Sequence, residues 1–174
     1  MSNIIPEKSI NFKVYLNDED LLGIAEGTIP ALEAMTSEVK GAGVAGVVES
    51  IVLGHFNSTT LSLTWRTVTD DFMKLYAHRT NNIDLYASLQ RYDAGLGEYK
   101  TEQLHVYLKA TTKTSTPGNL VVGDNMDMQT EFEITYMMIE LDHKERVLMD
   151  KYNYVYRVDG LDYLAGVRAD LGGQ

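Results

Sequence analysis

Between Glu131 and Met138 the side chains alternate: Phe132, Ile134, Tyr136 and Met138 share one face, and Glu131, Glu133 and Thr135 share the other. A period of two in a half-polar run specifies a strand with one buried face, because a helix would repeat its apolar positions every three or four residues. The polar run Leu141-Asp142-His143-Lys144-Glu145 reverses the chain. The return run sets Tyr152, Tyr154, Tyr156 and Val158 against Asn153, Val155 and Arg157. After Asp159-Gly160, the positions Leu161, Leu164, Ala165, Arg168 and Leu171 recur at helical spacing, and Gly172-Gly173 ends the run. The C-terminal quarter therefore predicts strand, tight turn, strand and helix.

The same period recurs upstream. The first ten residues (1–10) are mixed and read as an arm. Phe12, Val14 and Leu16 then alternate, Asn17-Asp18-Glu19-Asp20 turns the chain, and Leu21 to Ile29 returns as the second strand of a hairpin that Pro30 ends. Residues 31–50 form a long irregular loop. Ile51 to Phe56 and Leu61 to Thr67 read as strands, with Trp65 in the core. Thr69-Asp70-Asp71 caps a short helix bearing Phe72, Leu75 and Tyr76. Ile83, Leu85, Ala87 and Leu89 form a strand that turns at Gly95-Leu96-Gly97 and returns through Leu104, Val106 and Leu108. Residues 110–129 are polar, contain Pro117-Gly118, and suit a long hairpin tip or a mobile flap. The expected fold is mainly β (α+β): one domain over 1–174, with seven or eight antiparallel strands in a sandwich or partly open barrel, one internal helix and one C-terminal helix.

Few functions survive the residue inventory. There is no Cys, hence no disulfide framework or thiolate chemistry. His55, His78, His105 and His143 fall in separate elements without metal-ligand spacing, and no Gly-x-Ser-x-Gly elbow occurs. Gly41-x-Gly43-x-x-Gly46 spells a dinucleotide motif, yet β-branched Val47-Val48 and Ile51-Val52 follow it rather than a helix start. Flexible glycines among small apolar residues suit a loop that folds against a neighbouring subunit, which makes Gly41, Val44, Gly46 and Val47 candidate contact residues. Leu161 and Leu164 join them from the predicted C-terminal helix. Asp70-Asp71 is explained as a helix cap, and Asp124-Asn125-Met126-Asp127 is too short of ligands for a calcium loop. The formal net charge of −10 argues against a sequence-reading nucleic-acid binder. Residues 1–30 lack a secretory pattern, and no apolar run suits a membrane helix, so no anchor is expected. The expectation is no enzyme, no cofactor and no metal. An alternative is a soluble β-sandwich that binds a small ligand between strands lined by Tyr136, Met138, Tyr152, Tyr154 and Tyr156.

The string Tyr154-Val155-Tyr156-Arg157-Val158-Asp159-Gly160-Leu161-Asp162-Tyr163-Leu164-Ala165, running on through Arg168 and Ala169 to Leu171-Gly172, resembles the C-terminal end of the major tail tube proteins of contractile-tailed phages and related R-type bacteriocins. Ile24-Ala25-Glu26-Gly27-Thr28-Ile29-Pro30 and the glycine-rich Gly41-Ala42-Gly43-Val44-Ala45-Gly46 are similar to that family's early strand and loop. The resemblance implies a structural subunit whose hexameric rings stack into the inner conduit of a contractile tail. Its partners would be copies of itself, the sheath protein, the tape-measure protein, the baseplate and the tail terminator. DNA would pass without specific binding, in a virion assembled from protein made in the bacterial cytoplasm. An acidic lumen would help DNA slide, and Glu131 and Glu133, on the polar side of their strand, are candidate lumenal acids.

Overall fold

The computed structural model describes residues 3–20 and 24–172. Its elements are β1 (Ile4–Leu16), β2 (Glu19–Asp20), β3 (Ile24–Thr28), β4 (Ala34–Val39), β5 (Val48–Phe56), β6 (Thr60–Trp65), α1 (Asp70–Lys74), β7 (Thr80–Asp93), β8 (Glu98–Thr116), β9 (Met128–Leu141), β10 (Lys144–Asp150), β11 (Val155–Val158), β12 (Leu161–Asp162) and α2 (Ala165–Asp170). All the strand pairings are antiparallel, and the mainly β class expected from the alternation is what forms.

The sheet is organised by β9, whose two edges are used differently. One edge pairs with β8 along nearly its whole length. The other is divided: Met128 to Glu133 pair with β6, and Tyr136 to Leu141 pair with β10. The changeover falls at Thr135, which is skipped in the ladder between Ala110↔Ile134 and Lys109↔Tyr136. An extra residue in one strand turns everything beyond it to the opposite face. Phe132, Ile134 and then Met137 are therefore buried, while Tyr136 and Met138 leave the core side, correcting the single apolar stripe expected here.

From β9 the sheet runs one way through β8 and β7 to β1, and the other way through β6 to β3. A Cβ built on Gly27 of β3 would stand 3.3 Å from Leu63, 3.7 Å from Phe12 and 4.0 Å from Leu85. β3 thus lies across the core from β1 and β7, although it pairs only with β6, and the barrel stays partly open. Leu61, Leu63, Trp65, Ile83, Leu108, Phe132 and Ile134 fill it, each contributing about 1.5–3 kcal/mol by burial. Trp65 donates its indole N–H to Thr130 Oγ1 at 3.2 Å, so its one polar atom is satisfied. The Thr69 side chain caps α1 by accepting from the Phe72 N–H at 3.2 Å, and this seats Phe72 and Leu75 in the core while Tyr76 stays exposed.

Several expected boundaries move. Residues 4–10 are no arm: β1 pairs with β7 from Ile4↔Asp93 to Leu16↔Ile83. Two register shifts, between Pro6 and Lys8 and between Ser9 and Asn11, break the alternation that would have marked this stretch as a strand. Only Glu19-Asp20 returns along β1, and Ile24–Thr28 joins β6 instead; Leu21 to Gly23 lie outside the described residues. The 31–50 loop is largely β4, the start of β5 and the tip between them, and the 110–129 segment shrinks because β8 runs to Thr116 and β9 starts at Met128. The turn after Leu141 is a two-residue reversal with Asp142 and His143 at φ 52° and 61°, the left-handed pair that matches strand twist. The strand that returns from it is β10, not Tyr152–Val158. Leu148 and Met149 are both buried on opposite faces of β10, which leaves no period of two to read.

Candidate assembly surfaces

The residues singled out for contact do not form one site. Leu164 is interior: its side chain is 2% exposed and fills the space that a Cβ on Gly54 would occupy, since such an atom would lie 2.3 Å from both Leu164 methyls. Gly54 has φ +70°, so glycine is required there for both conformation and room. Around Leu164, Asp162 accepts from the Leu164 N–H at 2.9 Å and from Arg168 Nη2 at 2.6 Å, and Arg168 also donates to the Tyr154 carbonyl at 2.7 Å. The Arg168 hydrogen bond, helped by that N–H, holds the Asp162 carboxyl below the usual range. Leu161 is 60% exposed and lies on β12 rather than on the helix, and α2 is a six-residue turn that leaves Leu171 exposed.

Among the described residues β4 and β5 pair only with each other, as a hairpin whose tip spans residues 40–47. Gly41 and Gly43 adopt φ +136° and +96° there, with open space around each. Val44 and Val47 are exposed at the tip, and Val48, Ile51 and Leu53 along β5 are equally bare. Cross-strand partners put Thr36, Glu38, Glu49 and Ile51 on one face and Ser37, Val39, Val48 and Ser50 on the other, so aliphatic surface is open on both. A two-stranded ribbon of this kind is marginal in water by itself.

The two acids part company. Glu131 faces Ser62 and Thr114 across its neighbouring strands and lines a shallow cleft of about 300 Å³ with Ser62, Thr114, Thr116 and Gln129. Glu133 accepts from Ser58 Oγ and lies 3.5 Å from Lys151 Nζ, at the base of the β4–β5 hairpin. The residues of the alternative ligand reading are scattered. Tyr136 meets Tyr107 edge-on at 5.7 Å on the polar face, Tyr156 meets Phe56 at 5.0 Å on the core side, and Tyr152 and Tyr154 are exposed in the turn between β10 and β11. Sequence reasoning passed over Leu120, Val121 and Val122, three successive exposed aliphatics at the β8–β9 tip. A run of that kind inside a turn was the available signal. It also passed over the outer edge of β1, which among the described residues is paired only at Tyr15 and Leu16, because unpaired backbone leaves no mark on side-chain pattern.

Among the described residues no group of three or more His, Cys, Asp or Glu is placed to hold a metal ion, and no helix is long and apolar enough to cross a membrane. The family model described as phage tail tube protein FII matches residues 6–172. The chain belongs to that family. The resemblance drawn from its C-terminal string thus extends over nearly its whole length. The tail tube protein of Escherichia phage P2 is 27% identical over 175 residues, covering 97% of this chain and 98% of its own. The sheath/tube terminator of an extracellular contractile injection system, PVC, in its extended state shares the fold with a TM-score of 0.52 at 15% identity, over 75% of this chain and 94% of its own. The tail tube subunit is thus a structural, non-enzymatic component of the virion.

Proposed function

We propose that this tail tube subunit forms hexameric rings that stack into the inner conduit of a contractile tail, through which DNA is delivered. The observation that carries this reading is the pair of open edges on the sheet: among the described residues nothing pairs with the outer side of β1 before Tyr15, and β3 has a partner only in β6. Long free edges invite aggregation unless another chain takes them up, and a closed ring takes up every edge at once. The exposed aliphatics of the β4–β5 hairpin, with Gly41, Val44, Gly46 and Val47 at its tip, supply a second contact, between rings. Leu161 joins a lateral contact, and Leu164 acts only by holding the C-terminal segment in place.

The acidity supports passage without binding. Six copies would carry 6 × −10 = −60 formal charges per ring. Carboxylates on a lumenal face hold phosphates away over roughly 8 Å at physiological salt. Glu131 fits that role better than Glu133, whose charge Lys151 partly offsets. The sheath would surround the tube, the tape-measure protein would set its length during assembly, and the baseplate and terminator would close its ends.

Negative-stain electron microscopy of the purified chain tests the reading. Rings or tubes with a central bore are expected, and a protein that stays monomeric at high concentration would favour the ligand-binding sandwich instead. Replacing residues 41–46 with a Ser-rich linker should leave the subunit folded and stop tube growth.

A further inference from the structure

The ladder of the β4–β5 hairpin is interrupted. Its distal part runs from Thr36↔Ile51 to Val39↔Val48 and its base is Ala34↔Phe56, while between them Val52, Leu53, Gly54 and His55 of β5 stand against Met35 alone. A bulge bends the strand that carries it and breaks the hydrogen bonding that would stiffen it. Gly54, at φ +70°, sits in this bulge, and the space a side chain would need there is taken by Leu164. Along β5 the row Val52, Gly54 and Phe56 is half-buried, whereas Ile51, Leu53 and His55 are exposed. The cover at Gly54 is Leu164, and the cover at Phe56 is Tyr156 of β11, met edge-on at 5.0 Å. Both belong to the end of the chain, which is tied to the main sheet by the β10–β11 ladder. The Tyr163 N–H donates to the Tyr156 carbonyl at 2.9 Å, and Arg168 bridges Asp162 and the Tyr154 carbonyl. The hairpin base is pinned separately: the Asn57 N–H donates to the Glu33 carbonyl at 2.9 Å, and Lys151 Nζ donates to the Asn57 carbonyl at 3.1 Å.

We propose that the C-terminal segment, residues 161–171, is a wedge: held by Leu164 in the bulge of β5, it sets the angle at which the distal hairpin leaves the body. Its value for assembly rests on the reading of that hairpin as a contact between rings; its mechanics do not. The base is fixed to the body, so the bulge is the point about which the rest can turn. Val44, Val47, Val48 and Ile51, all bare, lie beyond it. The distal strands carry a change of angle outward over roughly 15 Å, at about 3.4 Å per residue. A contact surface already held at its docking angle loses less freedom on binding, so aiming the hairpin in the free subunit strengthens whatever it meets. Leu164 touches no neighbour in this scheme; it is a positioning residue, and Arg168 positions it in turn. The wedge works by volume, so alanine should empty it and methionine, similar in size, should refill it.

The chain has no cysteine, so a pair of spin labels can be placed without removing any native residue of that type. Glu38→Cys on the distal hairpin and Thr101→Cys on β8, both exposed, report the angle as a distance between labels in the dilute, unassembled subunit. With Leu164 in place the distance distribution should be single and narrow. A broad or two-peaked one overturns the wedge, and that outcome needs no core variant to fold. Leu164→Ala should roughly double the width, because the bulge has lost its filling, and Leu164→Met should restore it. Phe132→Ala, which weakens the barrel interior instead, should leave the width as it was. A narrow distribution in Leu164→Ala overturns the wedge, and so does an equal broadening in Phe132→Ala, since Leu164 would then be ordinary core. Tube growth by the same variants without the added cysteines separates the wedge from the contact it serves. Elongation should fall about tenfold in Leu164→Ala and recover in Leu164→Met. A widened distribution with full elongation would leave the wedge standing and overturn the hairpin as the contact between rings.

Discussion

The barrel body and the β4–β5 hairpin use the same side-chain pattern to different ends. In β6, Leu61, Leu63 and Trp65 alternate with Ser62 and Thr64, and every apolar member is buried. In β5, Ile51 and Leu53 alternate with Ser50 and Val52, yet they remain 60% and 61% exposed. Alternation announces a face that has to be covered, and it is silent about whose atoms cover it. The body supplies its own cover from α1, β3 and the far side of the sheet. The hairpin is covered by its own chain only near its base, where Gly54 meets Leu164 and Phe56 meets Tyr156, and Ile51 and Leu53 are left bare.

Substitutions on either side of that divide should behave differently. The largest effect belongs to the body. Phe132→Ala should destabilise the free subunit by about 3–5 kcal/mol in a denaturant titration. A loss below about 1 kcal/mol would mean that the barrel interior is not the source of stability. Next comes the seam between the two regions, where Leu164 rests on Gly54. Leu164→Ala should cost about 2–5 kcal/mol, and Gly54→Ala should also destabilise, because its Cβ meets the Leu164 methyls in a backbone conformation that L-residues avoid. If both variants melt like the wild type, the C-terminal segment is held elsewhere.

A smaller effect is expected from the Asp162–Arg168 pair. Its folded-state carboxyl lies below the ordinary value of about 3.9, so the pair stabilises above that pH and its contribution is lost as the pH falls through the lowered value. Arg168→Gln should flatten the acid limb of a stability profile below about pH 4 without changing its shape near neutrality. The least effect on folding is expected in the hairpin. Ile51→Ser combined with Leu53→Ser should shift subunit stability by no more than about 0.5 kcal/mol. The same double variant should nonetheless fail to elongate tubes, as seen by electron microscopy or sedimentation. Full-length tubes from it would erase the distinction between the two regions.

The sequence was most legible where one residue type answers one physical demand. Trp65, the Thr69 cap, the turn at residues 94–97 and the ladders around Ile83 and Val106 all follow from period and capping chemistry. It was least legible where partners lie outside the local window. Nothing near Thr135 signals that β9 changes partners there, because the cause is the arrival of β6 and β10 on one edge. The stretch Ile4 to Ile10 is exposed and twice out of register, so neither burial nor alternation marks it. The cluster of His105 with Asp84 and Glu140 draws on residues 21 and 35 positions away and has no local motif to find. Of the contact residues chosen from sequence, the glycine-rich tip is exposed, while Leu164 is interior because Gly54, more than a hundred residues earlier, leaves room for it.

The divided edge of β9 has a consequence for how the chain is made. β1 completes its long ladder with β7 only when Asp93 has been synthesised, and β6, which has β3 behind it already, meets β9 only when Glu133 has. Loop closure over such separations is entropically slow, placing folding with the millisecond-to-second β proteins rather than the microsecond helical ones. Until Leu141 leaves the ribosome, a nascent subunit carries both its open edges and its unpaired strands at once. Neighbouring chains on one message would then present complementary edges to each other before either barrel is complete. Premature pairing between half-made subunits is therefore the characteristic hazard of this topology, and slow translation through residues 94–127 would be expected to aggravate it.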